Sequence, residues 1–130
     1  MPRATKSRQR LSVLTVPLLG IALSPWGAMA AERFQKLSGP QIQSKFAGME
    51  TTDGTHWADV YQRNGTLLTY SMGRKTAGKW RVEKNELCID RGPDDGGCYQ
   101  VWLSGSKVEL RREGSNLPLE GVLQKPTERR

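Results

Sequence analysis

After Gly48 the chain alternates between polar and apolar residues with a period of two, which is the pattern of half-buried β-strands. Turn-forming residues follow each alternating run, and no gap between runs is long enough for a helix. This spacing predicts a mainly β domain, an antiparallel meander of about seven strands in a small barrel or curled sheet, with a two-layer sandwich as the alternative. The predicted strands are 56–62, 66–72, 78–83, 86–91, 97–103, 107–112 and 117–123.

One short segment just before Gly48 has the pattern of an N-terminal helix. Ser38 suits the N-cap, Pro40 suits the first turn and Gly48 suits the exit. Ile42 and Phe46 are separated by one helical turn and so share a face. A helix with one small apolar stripe is expected to pack against another element.

Residues 1–30 contain no acid and have the three parts of a secretory signal peptide. A basic start is followed by an uncharged run at 11–23 and by the small-x-small sequence Ala28-Met29-Ala30. A membrane-spanning helix needs roughly 20 apolar residues, and this run is shorter and interrupted by Pro and Gly. The sequence therefore predicts cleavage before Ala31, export to the periplasm and no stable membrane anchor.

Removal of residues 1–30 changes the charge balance. The chain has 20 Lys and Arg against 13 Asp and Glu, and four of the bases but none of the acids lie in 1–30. The remaining 16 bases and 13 acids give a net charge of +3, which favours solubility and indicates no nucleic-acid partner. We expect one monomeric β-rich domain at 31–125 with a thin core, followed by a frayed tail at 126–130.

The two cysteines, Cys88 and Cys98, lie on neighbouring predicted strands. The apolar residues of both strands must share the core, so alternation places both cysteines on the opposite face. If they lie directly opposite each other, the hairpin centres on Pro93, and their Cα atoms are roughly 4.5–5.5 Å apart, which is bridging distance. In an exported domain this predicts a disulfide rather than two free thiols, with a stabilisation of about 2.5–3 kcal/mol.

Residue types that carry catalysis are sparse. His56 is the single histidine, with Asp53 and Asp59 nearby as partners for a metal or for acid–base chemistry. Alternation places His56 and Asp59 on opposite faces, and a zinc site needs more His or Cys than the chain offers once the disulfide forms. Nucleophile-elbow and phosphate-binding glycine motifs are not found in the sequence. We therefore predict no catalytic residue, metal or cofactor.

Aromatic residues are dense for a domain of this size. Trp57 and Tyr61 share one face of their strand, and Trp102 lies on the face that carries the disulfide. A basic loop at 73–78 follows the next strand, so these side chains are candidates for a binding surface unless the helix covers them. Three further aromatics are assigned to the core: Tyr70, Trp80 and Tyr99. The candidate binding residues are Trp57, Tyr61, Arg74, Lys75 and Trp102.

Four segments together, "LSGPQIQSKFAGM", "HWADVYQRNGTL", "GKWRVEKNELC" and "CYQVW", resemble a group of short secreted alphaproteobacterial proteins of unknown function. The resemblance covers nearly all of the chain after residue 30, and it implies a periplasmic setting and no catalytic residue. The chain also has a fainter likeness to lipocalin-like barrels, which share the motif Gly-x-Trp. In those barrels the motif lies on the first strand, whereas here it lies in the middle of the chain, at Gly78-Lys79-Trp80. A second faint likeness is to small periplasmic inhibitors of metalloproteases, which are disulfide-bearing β-barrels with an N-terminal arm.

These features favour a non-enzymatic periplasmic binding or envelope-accessory protein with an unknown protein or small-molecule partner. Such a binder is expected to have an apolar cavity under Tyr70 and Trp80. The alternative is a small protein inhibitor, which is expected to have a filled barrel and a protruding N-terminal arm. A third hypothesis is a small hydrolase or metal-binding protein with His56 in a cleft beside a carboxylate.

Overall fold

The structure is a computed structural model that describes residues 12–20 and 33–129. Within these residues it contains one helix, α1 (Gly39–Phe46), and nine β-strands. The strands are β1 (Gln35–Lys36), β2 (Glu50–Thr52), β3 (Trp57–Tyr61), β4 (Thr66–Ser71), β5 (Arg74–Glu83), β6 (Glu86–Gly92), β7 (Asp95–Ser104), β8 (Lys107–Arg111) and β9 (Leu119–Gln124).

Strands β2 to β9 form a closed barrel of eight antiparallel strands. Each of these strands pairs with the next one along the chain, and β2 pairs with β9 to close the barrel, with Thr51 opposite Leu123. The short strand β1 pairs with β7, where Gln35 lies opposite Leu103. The predicted mainly β meander with one short helix is confirmed, and its form is a barrel rather than an open sheet or a sandwich.

The strand prediction was incomplete at three places. It omitted β1 and β2, and it treated 73–78 as a loop although β5 begins at Arg74. The sequence of β2 is Glu-Thr-Thr, without an apolar residue, so it has no alternating signal. The turn before β5 is only Met72 and Gly73, both with positive φ, and the polar start of β5 is held by its pairing with β4. The basic loop of the sequence prediction is therefore a strand.

The core fills only one end of the barrel. Every second side chain of each strand points into the barrel. At the filled end, helix α1 covers the barrel opening. Phe46 of α1 packs edge-on against Tyr61, with ring centroids 5.1 Å apart, and Tyr61 packs edge-on against Trp80 at 5.6 Å. Ile42, Phe46 and Tyr61 are all 0% exposed. The barrel is therefore plugged by the helix at one end.

Local sequence signals hold α1 in this position. The Ser38 backbone N–H donates to Gln41 Oε1 at 2.9 Å, and the Gln41 N–H donates to Ser38 Oγ, which is a capping box. The Gly39 N–H donates to Asn85 Oδ1 at 2.6 Å and ties the helix to the turn between β5 and β6. Gly48 has a φ of 79° and ends the helical segment as predicted.

The cysteine prediction is confirmed. Cys88 of β6 and Cys98 of β7 lie directly opposite each other in the ladder and form a disulfide. The neighbouring residues Leu87 and Ile89 point into the barrel and are buried. The disulfide therefore links two adjacent strands on the outer wall, as the alternation required.

The assignment of three aromatics to the core is correct for two of them. Trp80 is 5% exposed within the core, and Tyr99 packs against the core cluster. Tyr70 was assigned wrongly, because it lies opposite Ala58 and Lys75 in the ladder. Tyr61 and its ladder partner Leu67 point inwards, so Tyr70, an odd number of residues from Leu67, points outwards.

Two residues of the predicted tail, Thr127 and Arg129, contact Glu50 on the outer wall. Glu50 on β2 is 0% exposed, and its Oε1 accepts hydrogen bonds from Gln124 Nε2 at 3.0 Å and from Thr127 Oγ1 at 2.9 Å. Arg129 Nη1 lies 2.8 Å from Glu50 Oε2. Burial acts to raise the pKa of Glu50, but these donors outweigh it and hold the pKa below its usual value.

The predicted signal peptide at 1–30 lies largely outside the described residues. Residues 12–20 are described, and they contain neither helix nor strand. Among the described helices, none has the length and apolar character needed to cross a membrane.

Candidate functional site

The end of the barrel opposite α1 is open, and we call it the barrel mouth. Its wall is formed by inward-facing residues from strands around the barrel. On β3, Tyr61 is buried in the core, and alternation places Asp59 and Trp57 on the same inward face. The same rule directs Arg91 of β6 inwards, since it continues the series of Leu87 and Ile89. Polar side chains therefore point into the barrel beyond the packed core.

A buried ion pair forms the floor of the barrel mouth. Arg91 Nη2 donates a hydrogen bond to Asp59 Oδ2, and the Asp59 side chain is 4% exposed against 21% for Arg91. Thr69 Oγ1 donates to Asp59 Oδ1 at 2.7 Å, and Arg91 Nη1 also lies 3.6 Å from Asp95 Oδ1. Burial alone lowers the pKa of Arg91, but the Asp59 carboxylate outweighs it, so the pKa lies above its usual value. The floor is thus a hydrogen-bonded network that joins Asp59, Thr69 and Arg91.

Tyr61 connects this floor to the packed core. Its hydroxyl is 3.0 Å from Thr51 Oγ1, and the whole residue is 0% exposed. Burial raises the pKa of Tyr61, and the nearby Asp59 carboxylate raises it further, so the phenol is neutral. The boundary between the core and the barrel mouth is therefore a layer of neutral hydroxyls beneath one ion pair.

Two cavities lie on the two sides of the ion pair. The first, of about 510 Å³, we call the apolar pocket, and its apolar wall comes from β7, β8 and the segment that leads into β9. The second, of about 670 Å³, we call the polar pocket, and Thr69, Ser71, Arg74 and Thr76 line it. The residues that line both pockets are Trp57, Asp59, Arg91 and Asp95, and those of the apolar wall are Tyr99, Val108, Leu110, Pro118 and Leu119.

Trp57 forms part of the wall where the two pockets meet. Its ring extends across β2 to Gly121 on β9, where a Cβ atom would come within 3.1 Å of the indole. A side chain at this position would press on the ring, so Gly121 leaves Trp57 room to reach across the barrel mouth. Trp57 is half-buried and is the one predicted binding aromatic that lines the cavities.

A groove of about 690 Å³ lies on the outer wall beside the barrel mouth, between the 54–57 loop, the start of β5 and the C-terminal residues. We call it the outer groove. Lys75 Nζ lies 5.8 Å and Arg129 Cζ 4.7 Å from the centroid of the Tyr70 ring. Arg74 lines both this groove and the polar pocket. The lining residues include four bases and no Asp or Glu, the fourth base being His56.

His56 lies in the outer groove with a carboxylate in reach, as the third hypothesis required. Its Nδ1 is 2.8 Å from Asp53 Oδ2, and the His56 side chain is 71% exposed. Asp53 Oδ1 also accepts from the backbone N–H groups of Thr55, His56 and Trp57, which folds this loop. Desolvation acts to raise the pKa of Asp53, but these donors lower it well below its usual range. The loop accounts for the pair without any catalytic role.

Potential metal ligands among the described residues form one group of three, Glu83 with Cys88 and Cys98. The two sulfur atoms are bonded to each other and are not thiolates, which are the form that binds metal. His56 and Asp53 belong to no such group within the described ranges.

The structure brings some of the predicted binding residues together and separates the others. Trp57, Arg74 and Lys75 meet at the barrel mouth and outer groove, whereas Tyr61 belongs to the core. Trp102 lies on the outer face of β7, with Arg111 Cζ 4.1 Å from its ring, and β6, β5 and β4 separate it from β3 in the sheet. The prediction that Trp57 and Tyr61 form one exposed binding surface is therefore wrong. The prediction of an apolar cavity under Tyr70 and Trp80 is also wrong, because Trp80 belongs to the packed core and Tyr70 points outwards.

The sequence prediction considered Asp59 only as a partner of His56, and it did not identify Arg91, Asp95 or Arg129. Two of them had a usable signal, because Asp59 shares the face of Tyr61 and Arg91 shares the face of Leu87 and Ile89. A charged residue on a core face predicts either a buried ion pair or an open site. Arg129 had no such signal, since it belongs to a segment without periodicity.

We compared the chain with protein-family models, with curated proteins and with solved structures, and none of these comparisons found a match. The resemblances noted in the sequence stay predictions. Function has to be inferred from the barrel mouth itself.

Proposed function

We propose that the chain is an exported, periplasmic, non-enzymatic and monomeric binding protein that takes a small-molecule ligand into the barrel mouth. The observation that carries the proposal is the uneven filling of the barrel. Its α1 end is packed by Phe46, Tyr61 and Trp80, whereas its other end holds two cavities on either side of an ion pair. A barrel built only for stability is expected to fill both ends, because unfilled volume costs packing energy.

The apolar pocket has the dimensions and composition of a ligand site. Its volume of about 510 Å³ lies within the range of roughly 300–1,000 Å³ that small-molecule sites occupy. Such sites combine an apolar wall with a few fixed polar groups. Here Val108, Leu110 and Leu119 supply the wall, and Arg91 and Asp95 supply polar groups at one side.

The Asp59–Arg91 pair supports a binding role over a purely structural one. A buried ion pair contributes little net stability compared with apolar residues of the same volume, since both charges lose hydration. Its value lies in fixing two polar groups at a set position, which suits ligand orientation. Perturbed charged groups within a cleft are typical of functional sites.

Export is supported by the disulfide and by the first residues of the chain. Cys88 and Cys98 are bonded, and disulfides persist in oxidising compartments such as the periplasm. The basic, apolar and small-residue parts of 1–30 have the order of a signal peptide. These two features are independent of each other and agree.

The inhibitor and enzyme hypotheses have weaker support. An inhibitor was expected to have a filled barrel and a protruding arm, but the mouth is open and Gln35–Lys36 pair with β7. For the enzyme hypothesis, His56 has a carboxylate within reach, but the Asp53 contacts are those of a loop. The ligand-binding hypothesis expected its cavity under Tyr70 and Trp80, but the two pockets at the barrel mouth still make ligand binding the best supported of the three.

A fluorescence titration tests the proposal. The probe is N-phenyl-1-naphthylamine, an uncharged aromatic dye whose emission rises in an apolar site. We expect saturable one-to-one binding to the folded protein, and weakening of at least tenfold in Leu119→Trp, which places an indole in the apolar pocket. The matched control is Val122→Trp on the outer face of the same strand, where affinity is expected to stay within twofold. No binding to the wild type, or equal losses in both variants, contradicts the proposal.

A further inference from the structure

The charges inside the barrel mouth are unfavourable for an anion. Asp59 and Asp95 face one guanidinium, that of Arg91, and Arg91 already pairs with both carboxylates. An acidic ligand group placed at the floor would meet two carboxylates and one guanidinium, and close like charges repel one another. The floor therefore suits neutral or apolar parts of a ligand.

The rim of the barrel mouth has the opposite charge. We call Arg74, Lys75 and Arg129 the basic rim. Arg74 is exposed, lies in both the polar pocket and the outer groove, and has no carboxylate partner among the described residues. Lys75 and Arg129 both approach the Tyr70 ring.

Two of the three cations of the basic rim have no carboxylate partner among the described residues. Arg129 pairs with Glu50, which is buried beneath the outer groove, and this pair fixes the guanidinium beside Tyr70. Arg74 and Lys75 are adjacent in sequence and exposed, and neither has a carboxylate partner in the described part of the chain. Grouped like charges repel one another, and a bound anion relieves that repulsion. Arginine and lysine are also the side chains that bind carboxylate, sulfonate and phosphate groups.

The geometry points to an amphipathic organic anion as the ligand of this protein. We infer that its apolar body lies in the apolar pocket, passes the Asp59–Arg91 pair, and presents its acidic group to Arg74 at the junction of the polar pocket and the outer groove. Lys75 and Arg129 add attraction from the outer wall. This inference rests on the proposed function, because it assigns a chemical class to the ligand of the same site.

Two probes that differ by one acidic group test the inference. One is N-phenyl-1-naphthylamine, and the other is 1-anilinonaphthalene-8-sulfonate, which has the same aromatic body with a sulfonate added. We expect the sulfonate probe to bind about tenfold more tightly at low salt. We expect this ratio to fall as salt screens the rim charges.

Variants of the basic rim make the test specific. In Arg74→Ala/Lys75→Ala the affinity of the sulfonate probe relative to that of the neutral probe is expected to fall to about one. In Arg74→Glu/Lys75→Glu the sulfonate probe should bind more weakly than the neutral probe. The matched control is Lys79→Ala, which removes one exposed cation from the same strand and the same outer face as Lys75. It is expected to keep the wild-type ratio. Circular dichroism and thermal unfolding verify that each variant folds.

Each outcome decides a different claim. Equal affinities of the two probes in the wild type overturn the inference and leave the proposed function standing. Tight binding of the sulfonate probe that survives Leu119→Trp shows surface attraction only, and also overturns the inference. If the neutral probe does not bind the wild type, the proposed function fails and the inference falls with it.

Discussion

Replacement of Arg91 by Met should destabilise the protein strongly, whereas replacement of both members of the floor ion pair should not. Arg91→Met leaves the Asp59 carboxylate buried, with a 4% exposed side chain and only Thr69 as a hydrogen-bond donor. Breaking a buried pair in this way costs about 3–5 kcal/mol. We take the lower end, about 3 kcal/mol, because Arg91 is 21% exposed and water can reach its position.

The double variant Asp59→Leu/Arg91→Met removes both charges and is expected to lie within about 1 kcal/mol of the wild type, or above it. The matched control is Arg81→Met, the same substitution in the exposed Arg81–Glu83 pair, for which a change of no more than about 1 kcal/mol is expected. The difference between the single and double variants therefore isolates the cost of an unbalanced buried charge.

Urea unfolding at neutral pH, monitored by tryptophan fluorescence, measures these free energies from the midpoints at constant slope. For a domain of this size a loss of about 3 kcal/mol lowers Tm by about 12–24 °C. Equal stability of the single and double variants would refute the reasoning, since it would mean that the Asp59 carboxylate is solvated and the floor is not sealed from water.

Three further predictions concern the disulfide, the C-terminal residues and export. Removal of the disulfide in Cys88→Ala/Cys98→Ala should lower the free energy of unfolding by about 2.7 kcal/mol, which is the loop-closure entropy for a sequence separation of 10. The circular dichroism spectrum of the β-sheet should stay unchanged, and a loss of all structure would contradict this prediction. Because the pKa of Glu50 is lower in the folded protein than in the unfolded chain, the ionised Glu50 stabilises the folded state at pH values above its ordinary pKa. This stabilisation should be lost as the pH falls through the lowered pKa. Glu50→Gln should remove the contribution of Glu50 to the pH dependence of urea unfolding between pH 6 and pH 3. Intact mass of the protein recovered from the periplasm should match a chain that starts at Ala31, and a product that still carries residues 3–10 would disprove cleavage.

The parts of the fold that follow from local patterns were predictable. The alternating runs, the capped helix and the disulfide each depend on residues that are close in sequence or on adjacent strands, and the structure confirms them. Strand β2 was missed for the opposite reason. Glu50, Thr51 and Thr52 have no apolar residue, and they become a strand only because β3 and β9 flank them on both sides.

The candidate site depends on contacts between distant residues, which explains why it was found only in part. Asp59 and Arg91 are 32 residues apart, and Glu50 and Thr127 are 77 apart. Trp57 and Arg74 were identified from residue type and from their positions along neighbouring strands, and they lie together because Trp57 pairs with Ser71 and Ser71 pairs with Arg74. For Tyr61 the sequence left two possibilities, a binding surface or a face covered by the helix, because alternation gives two faces without stating which one is inside; the second is correct, since Phe46 packs on Tyr61.

Closure of the barrel also has a consequence for the order in which the protein assembles. The pairings from β2 to β9 are hairpins between neighbours in sequence, except for the pairing of β2 with β9, which joins Glu50 to Gln124. Closing so long a loop costs conformational entropy, and the β2–β9 contacts offset that cost only when the intervening hairpins are already in place. The pairing of β2 with β9 is therefore expected to form late in folding. Until it forms, β2 and β9 are open strand edges that can pair with other chains. A nascent chain therefore cannot complete its barrel before β9 is available, and its time of greatest exposure to aggregation lasts until β9 has paired with β2.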